Sequence, residues 1–384
     1  MQTPIYLDNA ATSHPKPEEV YRAVNQVMRA GASAGRGSYQ QALSAERLVF
    51  ETREILADFF AVNASDRFVF TLNATAAINQ ALFGLLKVGD RVVTTRLEHN
   101  SVTRPLRALQ DRGIVVEKVP ADPLTGIVSP DDLKSCCLAA PTRLLLVNHC
   151  SNVYGALQPI EELGRWCREQ GILFMVDGSQ SAGCLPINLQ ALDVDLFVAP
   201  GHKGLLGPQG TGFLYVAKGL QLTPLMYGGT GGNSHSDLPP VDLPERLECG
   251  TLNLPGIAGL QAAVQFLQRM GINQVRATEK QLVKKIIDGL NSLEAVTVYG
   301  PADLDRRGSA ISSNIKGYDP AEVGFLLDQR NVCVRAGLHC APDAHRTIGT
   351  YPQGTIRVSP GLLTTEADIE QFIARLDALL RQKS

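Results

Sequence analysis

The sequence lacks the marks of several protein classes. No two of its eight cysteines are spaced Cys-x-x-Cys, which argues against zinc-ribbon, thioredoxin-like and iron–sulfur sites and predicts no metal centre. Its 36 Lys and Arg residues nearly balance 38 Asp and Glu residues, and no block of like charges occurs. Nucleic acids and membrane surfaces are therefore not predicted partners. Apolar runs such as 172–176 are far shorter than the roughly 20 residues that span a bilayer.

The low cysteine content also bears on location. Eight cysteines in 384 residues fall well below the roughly 8–10% of a disulfide scaffold. The first residues show no charged region followed by an apolar one, as a secretory signal would. The sequence predicts a cytoplasmic protein with reduced thiols, most of them packed as small core residues.

What is present is a regular alternation of short apolar runs and helical patterns. Such runs, bounded by polar turns and separated by helices, are typical of a parallel sheet buried on both faces. Strands are predicted at 67–71, 91–95, 114–119, 144–148, 172–176, 196–199 and 212–216, and helices at 75–86, 102–111, 130–138 and 160–170. The predicted fold class is α/β, with a mostly parallel central sheet.

The last third of the chain shows a different pattern of predicted elements. Long amphipathic helices are predicted at 257–270, 275–293 and 366–380, with short strands at 296–298, 310–315, 332–335 and 355–358. This pattern favours a smaller α+β domain. The predicted organisation is an N-terminal segment 1–18 that packs with the small domain, a large domain 19–255 and a small domain 256–384.

Polar residues follow the predicted strands where ligands collect in open parallel sheets. Asp177 follows one strand and Lys203 the next, and this pair suits pyridoxal phosphate, whose aldehyde needs an amine and whose ring nitrogen needs a carboxylate. Asn73-Ala74-Thr75 begins a predicted helix whose free N–H groups favour a phosphate. Simpler interpretations are that Lys203 is an exposed lysine in a glycine-rich turn and that Asn73 or Thr75 is only a helix N-cap.

Several motifs together resemble the class V aminotransferase-like cysteine desulfurases. The resemblance runs from residue 5 to Arg357 and implies a fold-type I pyridoxal-phosphate enzyme, a homodimer with its active sites at the subunit interface. The motifs that carry it are Tyr6-Leu7-Asp8-Asn9-Ala10-Ala11-Thr12, Asn73-Ala74-Thr75, Glu98-His99-Asn100, Ser151-Asn152-Val153-Tyr154-Gly155, Asp177-Gly178-Ser179-Gln180, Gly201-His202-Lys203, Cys249-Gly250-Thr251 and Arg335-Ala336-Gly337-Leu338-His339-Cys340-Ala341.

The resemblance assigns a role to each matching residue. It implies that Lys203 binds the cofactor covalently, Asp177 pairs with the ring nitrogen, His99 stacks on the ring and Gln180 bonds the phenolic oxygen. Phosphate binding falls to Ala74 and Thr75 at the helix start, to His202, and to Thr251 from the other subunit. Asn152 and Arg357 would bind the substrate carboxylate.

Cys340 selects the reaction, because the cofactor alone permits many. By resemblance, Cys340 takes sulfur from L-cysteine as a persulfide, releasing L-alanine and supplying a sulfur-acceptor protein, as in iron–sulfur cluster assembly. His339 is expected to help the thiol ionise. A selenocysteine lyase or a cysteine or cystine C–S lyase on the same scaffold remains the main alternative, and a scaffold subunit without catalysis is the second.

Two positions depart from the family pattern. Pro200 stands where relatives often have a phosphate-binding Ser, and proline supplies neither a hydroxyl nor an N–H. Leu338 stands where related enzymes often have a second His. Phosphate binding is therefore expected to depend more on Thr75, His202 and Thr251, and the loop that carries Cys340 is expected to be drier.

Overall fold

A seven-stranded sheet lies at the centre of the computed structural model, which describes residues 4–31, 33–34, 37–230 and 236–381. The strands of the described residues are β1 (Ile5–Tyr6), β2 (Phe68–Thr71), β3 (Arg91–Thr95), β4 (Val115–Val119), β5 (Leu144–Asn148), β6 (Leu173–Asp177), β7 (Leu196–Pro200), β8 (Gly212–Val216), β9 (Val296–Val298), β10 (Ile311–Ile315), β11 (Val332–Cys333), β12 (Arg335–Gly337) and β13 (Thr355–Val358). The strand order in the seven-stranded sheet is β2-β8-β7-β6-β5-β3-β4.

Helices cover both faces of this sheet. The helices are α1 (Glu18–Ala30), α2 (Gln40–Phe59), α3 (Ala74–Leu85), α4 (Asn100–Gln110), α5 (Pro130–Leu138), α6 (Ile160–Gln170), α7 (Leu254–Met270), α8 (Ile272–Asn291), α9 (Pro320–Asp328), α10 (Pro342–Ile348) and α11 (Glu366–Arg381). Helices α3 and α4 contribute to the hydrophobic core on one face, and α2, α5, α6 and α7 to the core on the other.

The predicted parallel sheet is confirmed. Strands β3 to β7 pair parallel with their neighbours, whereas β8 runs antiparallel between β7 and β2. Every residue of β5, β7 and β8 is buried, because helices cover both faces and leave no side for water. The carboxyl ends of β5, β6 and β7 therefore meet at one edge of the sheet.

A second sheet is built from the C-terminal part of the chain. It has four antiparallel strands in the order β12-β13-β10-β9. Its hydrophobic core includes residues of α8, α9 and α11. The N-terminal strand β1 pairs in parallel with β11, which ties the start of the chain to this region. The domain boundaries at 18 and 255 stay predictions.

The single strand predicted at 332–335 is wrong. The structure divides this stretch into β11, which pairs with β1, and β12, which pairs with β13. Val334 lies between the two strands and the chain changes sheets there. The local apolar pattern does not reveal this change of sheet, because β11 and β12 pair with strands that are distant or separate in the sequence.

Four helices, α1, α2, α9 and α10, lie where no element was predicted. Two of them, α9 and α10, begin with proline at the first helical position, where proline is favourable. Both helices are short, so their apolar residues do not form a recognisable helical pattern in the sequence. Among the described residues, every helix is too short or too polar to cross a membrane.

Candidate active site

The carboxyl ends of β5, β6 and β7 open into a cavity of about 230 Å³. Asn148 and Asp177 are the last residues of β5 and β6, and they are register partners. Lys203 follows β7 by three residues. All three side chains line the cavity, as the strand-end positions predict.

The Lys203 amine lies close to other positively charged groups. Burial lowers its pKa to about 8, with further lowering by the charges of Arg357 and Arg335 and an opposing effect from Asp177. A free lysine amine has a pKa near 10.4. A much larger share of the Lys203 amine is therefore unprotonated near neutral pH than in an exposed lysine, as a nucleophile or a base requires.

Asp177 is a buried carboxylate with a local hydrogen bond. Its side chain is 3% exposed, and Oδ1 accepts from the Ser179 N–H at 2.9 Å. Burial raises the pKa of Asp177, while the Ser179 hydrogen bond and the charge of Lys203 act against that rise. A protonated ring nitrogen in the cavity would supply the positive partner that a buried carboxylate needs.

His99 is fixed in one tautomer. It caps α4, with Nδ1 accepting the Ser101 N–H at 3.0 Å. Burial lowers the pKa of His99 to about 4, helped by the charges of Lys203 and Arg335. The ring is therefore neutral with its proton on Nε2, which suits stacking on an aromatic ligand in the cavity that it lines.

The N-terminus of α3 forms one wall of the cavity. Asn73 caps the helix by accepting the Ala76 N–H at 2.9 Å, so the cap predicted at Asn73 or Thr75 is Asn73. Ala74 and Thr75 line the cavity, and their N–H groups precede the first intrahelical bond, from Ala77 to Asn73. Such N–H groups and the helix dipole favour a phosphate.

The other predicted phosphate ligands lie in two places. His202 lines the cavity, and its Nδ1 is buried without a partner among the described residues. Pro200 also lines the cavity but offers no hydrogen-bond donor to a phosphate. Burial lowers the pKa of His202 to about 4. Thr251 is exposed and lines a separate groove, which also contains Leu72 and Met226, so within one chain Thr251 does not reach this cavity.

Gln180 lies between the cavity and the N-terminal segment. Its Nε2 donates to the Ala10 carbonyl at 2.9 Å, which uses one of the two amide hydrogens. Both residues line the cavity. The second hydrogen is the one that could meet a phenolic oxygen.

Arg357 joins three distant parts of the chain. Its side chain is 1% exposed. Nη2 donates to Asp8 Oδ1 at 2.8 Å and Nη1 to the Asn152 carbonyl at 3.3 Å. The Asn152 side chain in turn donates to the His339 carbonyl at 2.6 Å. The predicted substrate ligands Asn152 and Arg357 thus lie together, on the side of the cavity next to the Cys340 turn.

Cys340 lies in a short turn between β12 and α10 whose carbonyl groups accept hydrogen bonds from other parts of the chain. His339 and Cys340 both have positive φ angles, 47° and 59°, a conformation that costs non-glycine residues energy and often marks functional sites. The Cys340 carbonyl accepts from the Asn100 N–H at 2.7 Å. Cys340 is not itself among the side chains that line the cavity, but it is close enough to interact electrostatically with Lys203 and Arg357.

Arg335, and not the predicted His339, is the cationic group at the thiol. Arg335 Nη2 donates to Cys340 Sγ at 3.3 Å, and Arg335 lines the cavity. His339 is 2% exposed and its Nε2 lies 3.0 Å from Thr355 Oγ1. Burial keeps the pKa of His339 well below its usual value, so the ring is neutral and offers the thiol no charge.

Five of the other thiols are poor nucleophiles by position. Burial raises the pKa of Cys137 and Cys150 to about 12 and also raises the pKa of Cys167, Cys184 and Cys333. Cys150 lines the cavity, as its position beside Ser151-Asn152 suggests. All eight cysteines are free thiols in the structure.

The residues fit pyridoxal phosphate. The cavity combines an amine with a lowered pKa, a buried carboxylate and a neutral imidazole with helix N–H groups and an unpartnered His202 nitrogen. Three cations, Lys203, Arg335 and Arg357, line it, which favours the phosphate of a cofactor and the carboxylate of an amino acid.

Two residues of this site were not predicted. Asp8 orients Arg357, and Arg335 contacts the thiol. Both are charged residues inside the motifs that carry the resemblance, and only this position in the motifs could have indicated a role in the site. Their partners depend on the fold, since Asp8 and Arg357 are 349 residues apart.

Comparison with known proteins places the chain in a family. Residues 5–372 match the model of the aminotransferase class-V family. A probable cysteine desulfurase of Methanothermobacter thermautotrophicus is 37% identical over 95% of this chain and 92% of the relative. A cysteine desulfurase of Yersinia pseudotuberculosis is 31% identical over 98% of this chain and 93% of the relative.

Solved structures agree on the fold. The apo structure of a cysteine desulfurase from Thermococcus onnurineus superposes with a TM-score of 0.91 at 31% identity, covering 99% of this chain and 95% of the other. The cysteine desulfurase CsdA of Escherichia coli gives 0.86 at 27% identity, with the same coverage. The predicted fold-type I architecture is confirmed.

Replacing Lys203 by Ala should remove covalent attachment of pyridoxal phosphate. After borohydride reduction of the holoprotein, mass spectrometry should find the adduct on Lys203 in the wild type and none in the variant. Lys16→Ala is the matched control, because burial also lowers the pKa of Lys16 to about 8 but Lys16 does not line the cavity. An adduct on another lysine in Lys203→Ala would contradict the assignment.

Proposed function

Because this chain belongs to the class V aminotransferase family, we propose that it is a pyridoxal-phosphate-dependent cysteine desulfurase that leaves a persulfide on Cys340. The observation that carries this proposal is the contact of Arg335 with Cys340 Sγ beside a cavity that holds Lys203 and Arg357. A guanidinium favours the thiolate, which is the reactive form of cysteine. The names of the relatives support the same reaction.

The substrate is held at its carboxylate. Arg357 is preoriented by Asp8, and its Nε is buried without a partner among the described residues, which leaves donors for a second carboxylate. The carbonyl of Asn152 and the turn at His339 fix the position of this guanidinium. The α-carbon of a bound amino acid would then lie between Arg357 and Lys203.

Lys203 is the base of the first step. Pyridoxal phosphate, once bound, supplies an electron sink that acidifies the α-hydrogen of an amino acid. The Lys203 amine, with a pKa of about 8, takes that proton at Nζ. Asp177 provides the negative charge that keeps the ring nitrogen protonated.

Sulfur transfer balances without an added oxidant. The Cys340 thiolate attacks the sulfur of the substrate, an S–S bond forms, and the bond between Cβ and sulfur breaks with its electron pair on carbon. The Cβ atom takes a proton, and the products are L-alanine and the Cys340 persulfide. In the overall balance, the proton that Cys340 releases on forming the thiolate ends on alanine, so the site must move protons between its own groups.

The acceptor must come to the thiol. Only residues 338–341 connect β12 and α10, and hydrogen bonds hold Asn100 to the Cys340 carbonyl and Asn152 to the His339 carbonyl. We infer that a thiol-bearing acceptor protein reaches Cys340 at the surface, since Cys340 is only half-buried.

Replacing Cys340 by Ala should abolish alanine release from L-cysteine in the presence of a dithiol acceptor. Bound-cofactor absorbance should be retained, and mass spectrometry of the wild type should find one added sulfur on Cys340. Cys150→Ala should keep most activity, because Cys150 only lines the cavity.

The same assay separates the alternatives. Pyruvate without a persulfide would indicate a C–S lyase. Full turnover of selenocysteine by Cys340→Ala, with none of cysteine, would indicate a selenocysteine lyase. Absence of a cofactor band from the wild type would indicate a scaffold protein.

Replacing Arg335 by Gln should slow the alkylation of Cys340 by iodoacetamide at pH 7, because it removes the guanidinium that contacts Cys340 Sγ at 3.3 Å, and a neighbouring cation makes a thiol more reactive. We expect a loss of roughly tenfold in rate, with a smaller loss in Arg335→Lys, which keeps the charge. Arg96→Gln, an exposed arginine, is the control. An unchanged alkylation rate in Arg335→Gln would refute the role of Arg335.

We also propose a homodimer in which Thr251 completes the phosphate site of the partner. Thr251 borders a groove with exposed apolar side chains, including Leu72 at 60% and Met226 at 61%. Large exposed apolar patches are typical of protein interfaces.

Met226→Glu should therefore shift the protein toward monomer in sedimentation equilibrium and weaken cofactor retention. Leu138→Glu, a change at a comparably exposed leucine outside the groove, should do neither. A wild type that is monomeric and retains the cofactor fully would contradict the dimer.

A further inference from the structure

The β3–α4 connection (residues 95–101) contacts both the main cavity and the Cys340 turn. Side chains alternate along it, and Leu97, His99 and Ser101 line the cavity. Glu98 and Asn100 lie between them in the sequence and attach the connection to other parts of the chain. The mechanism above assigns no role to Glu98, although it is a fully buried carboxyl group beside the site.

Glu98 fixes the start of the connection to the central sheet. Its Oε1 accepts from Thr95 Oγ1 at 2.7 Å and from the Asn148 N–H at 3.1 Å. Thr95 Oγ1 also accepts from the Leu97 N–H at 3.0 Å, which closes the turn after β3. Asn148 is the last residue of β5 and the register partner of Asp177. The Glu98 carboxyl group therefore ties the connection to the strand ends that line the cavity.

Glu98 makes these contacts as a neutral acid. Burial raises the pKa of Glu98 to about 8, and the charge of Asp177 adds to the rise, while Thr95 and Asn148 act against it. Two carboxyl groups close together in a buried site do not readily both ionise. The charge of Lys203 favours the ionised form of Asp177, so the negative charge lies on Asp177 and the proton on Glu98.

Asn100 fixes the end of the connection to the Cys340 turn. It is the first residue of α4, so its N–H has no partner within the helix, and this N–H donates to the Cys340 carbonyl at 2.7 Å. His339 and Cys340 both have positive φ angles, a conformation that persists only where the surroundings hold it. The hydrogen bond from Asn100 is such a restraint, because it fixes the orientation of the peptide unit that follows the Cys340 Cα.

His99 lies between the two attachments. Its Nδ1 accepts from the Ser101 N–H at 3.0 Å, and its carbonyl accepts from the Val102 N–H at 2.8 Å. The imidazole is thus fixed to the start of α4. Consecutive residues therefore hold the ring that lines the cavity and the carbonyl of Cys340.

We propose that the β3–α4 connection sets the position of the Cys340 sulfur relative to the cavity, with Glu98 and the Asn100 N–H as its positioning groups. The inference rests on the proposed function, in which Cys340 attacks the sulfur of the substrate. Such an attack needs two sulfur atoms that are close and aligned, and a misplacement of about 1 Å can cost roughly 100-fold in rate. A continuous set of hydrogen bonds from β5 through Glu98 and Asn100 to the turn provides this alignment.

The direct test replaces Asn100 by Pro. Proline is favourable at the first position of a helix, and His99, with φ −67° and ψ 157°, already has the conformation preferred before proline. The change removes the N–H and puts a ring carbon in its place, so the Cys340 carbonyl must move away. In a single turnover of L-cysteine by the holoenzyme, persulfide formation on Cys340 should slow by roughly 100-fold.

A second reaction shows whether only the thiol has moved. Exchange of the α-hydrogen of L-alanine with D₂O, followed by proton NMR, uses Lys203 and the cofactor but not Cys340, and it should stay close to the wild-type rate in Asn100→Pro. Asn100→Ala keeps the backbone N–H and should retain most of the rate of persulfide formation. Equal slowing of both reactions in Asn100→Pro, or persulfide formation at the wild-type rate, would overturn the proposal.

Replacing Glu98 by Ala tests the other attachment. The Asn148 N–H and the Thr95 hydroxyl lose their acceptor, so persulfide formation should slow by roughly tenfold, and the visible circular dichroism of the bound cofactor should weaken as His99 shifts. Glu98→Gln keeps an acceptor oxygen in a neutral group and should restore both. Wild-type values in Glu98→Ala, or equal losses in Glu98→Gln and Glu98→Ala, would contradict the role of Glu98 as a neutral positioning group.

The wild type provides a test that needs no variant. An N–H at the first position of a helix has no helical partner and normally exchanges quickly, whereas the Asn100 N–H of the holoprotein should be protected in amide hydrogen exchange followed by mass spectrometry. Rapid exchange at Asn100 would overturn the proposal. A wild type that exchanges alanine but forms no persulfide would refute the proposed function and this inference with it, whereas equal persulfide formation in the wild type and Asn100→Pro would overturn the inference alone.

Discussion

The buried guanidinium of Arg357 is the interaction on which the rest of the site depends. A charge that is 1% exposed needs a partner and hydrogen bonds, because an unpaired buried ion costs several kcal/mol. Asp8 supplies the opposite charge and Asn152 a carbonyl. These three residues come from the N-terminal segment, the second sheet and the loop after β5, so satisfying one charge brings together the parts of the chain that enclose the cavity.

The same constraint extends to the thiol. Asn152 contacts both Arg357 and the turn that precedes Cys340, and Arg335 and Arg357 are register partners on β12 and β13. Two cations are thus held side by side, one at Cys340 and one at Asp8. Their mutual repulsion and that of Lys203 are tolerable because Asp8 and Asp177 offset them, and the remaining positive charge favours an anionic cofactor and substrate.

Much of the central sheet could be predicted from the sequence, because each of its strands is a local apolar run and its helices have their own period. Strands β3, β5 and β8 and helices α5 and α6 lie where the pattern puts them. Asp177 and Lys203 were also predictable, since strand order follows the chain from β5 to β7. The split of 332–335 into two strands, the pairing of Asp8 with Arg357 and the contact of Arg335 with Cys340 were not, because each depends on contacts made only after the second sheet has formed.

His339 illustrates why neighbours in sequence are poor guides to chemistry. It precedes the thiol, yet a positive φ at both residues sends the two side chains to different surroundings. The imidazole is buried against Thr355 and His345, where desolvation keeps it neutral, whereas the sulfur lies at a guanidinium. Arginine remains charged at any physiological pH, so the cation at Cys340 does not depend on protonation. In the proposed reaction the sulfur therefore lies at a permanent positive charge, while Lys203, the group that must gain and lose a proton, has a pKa of about 8, close enough to neutrality to do so.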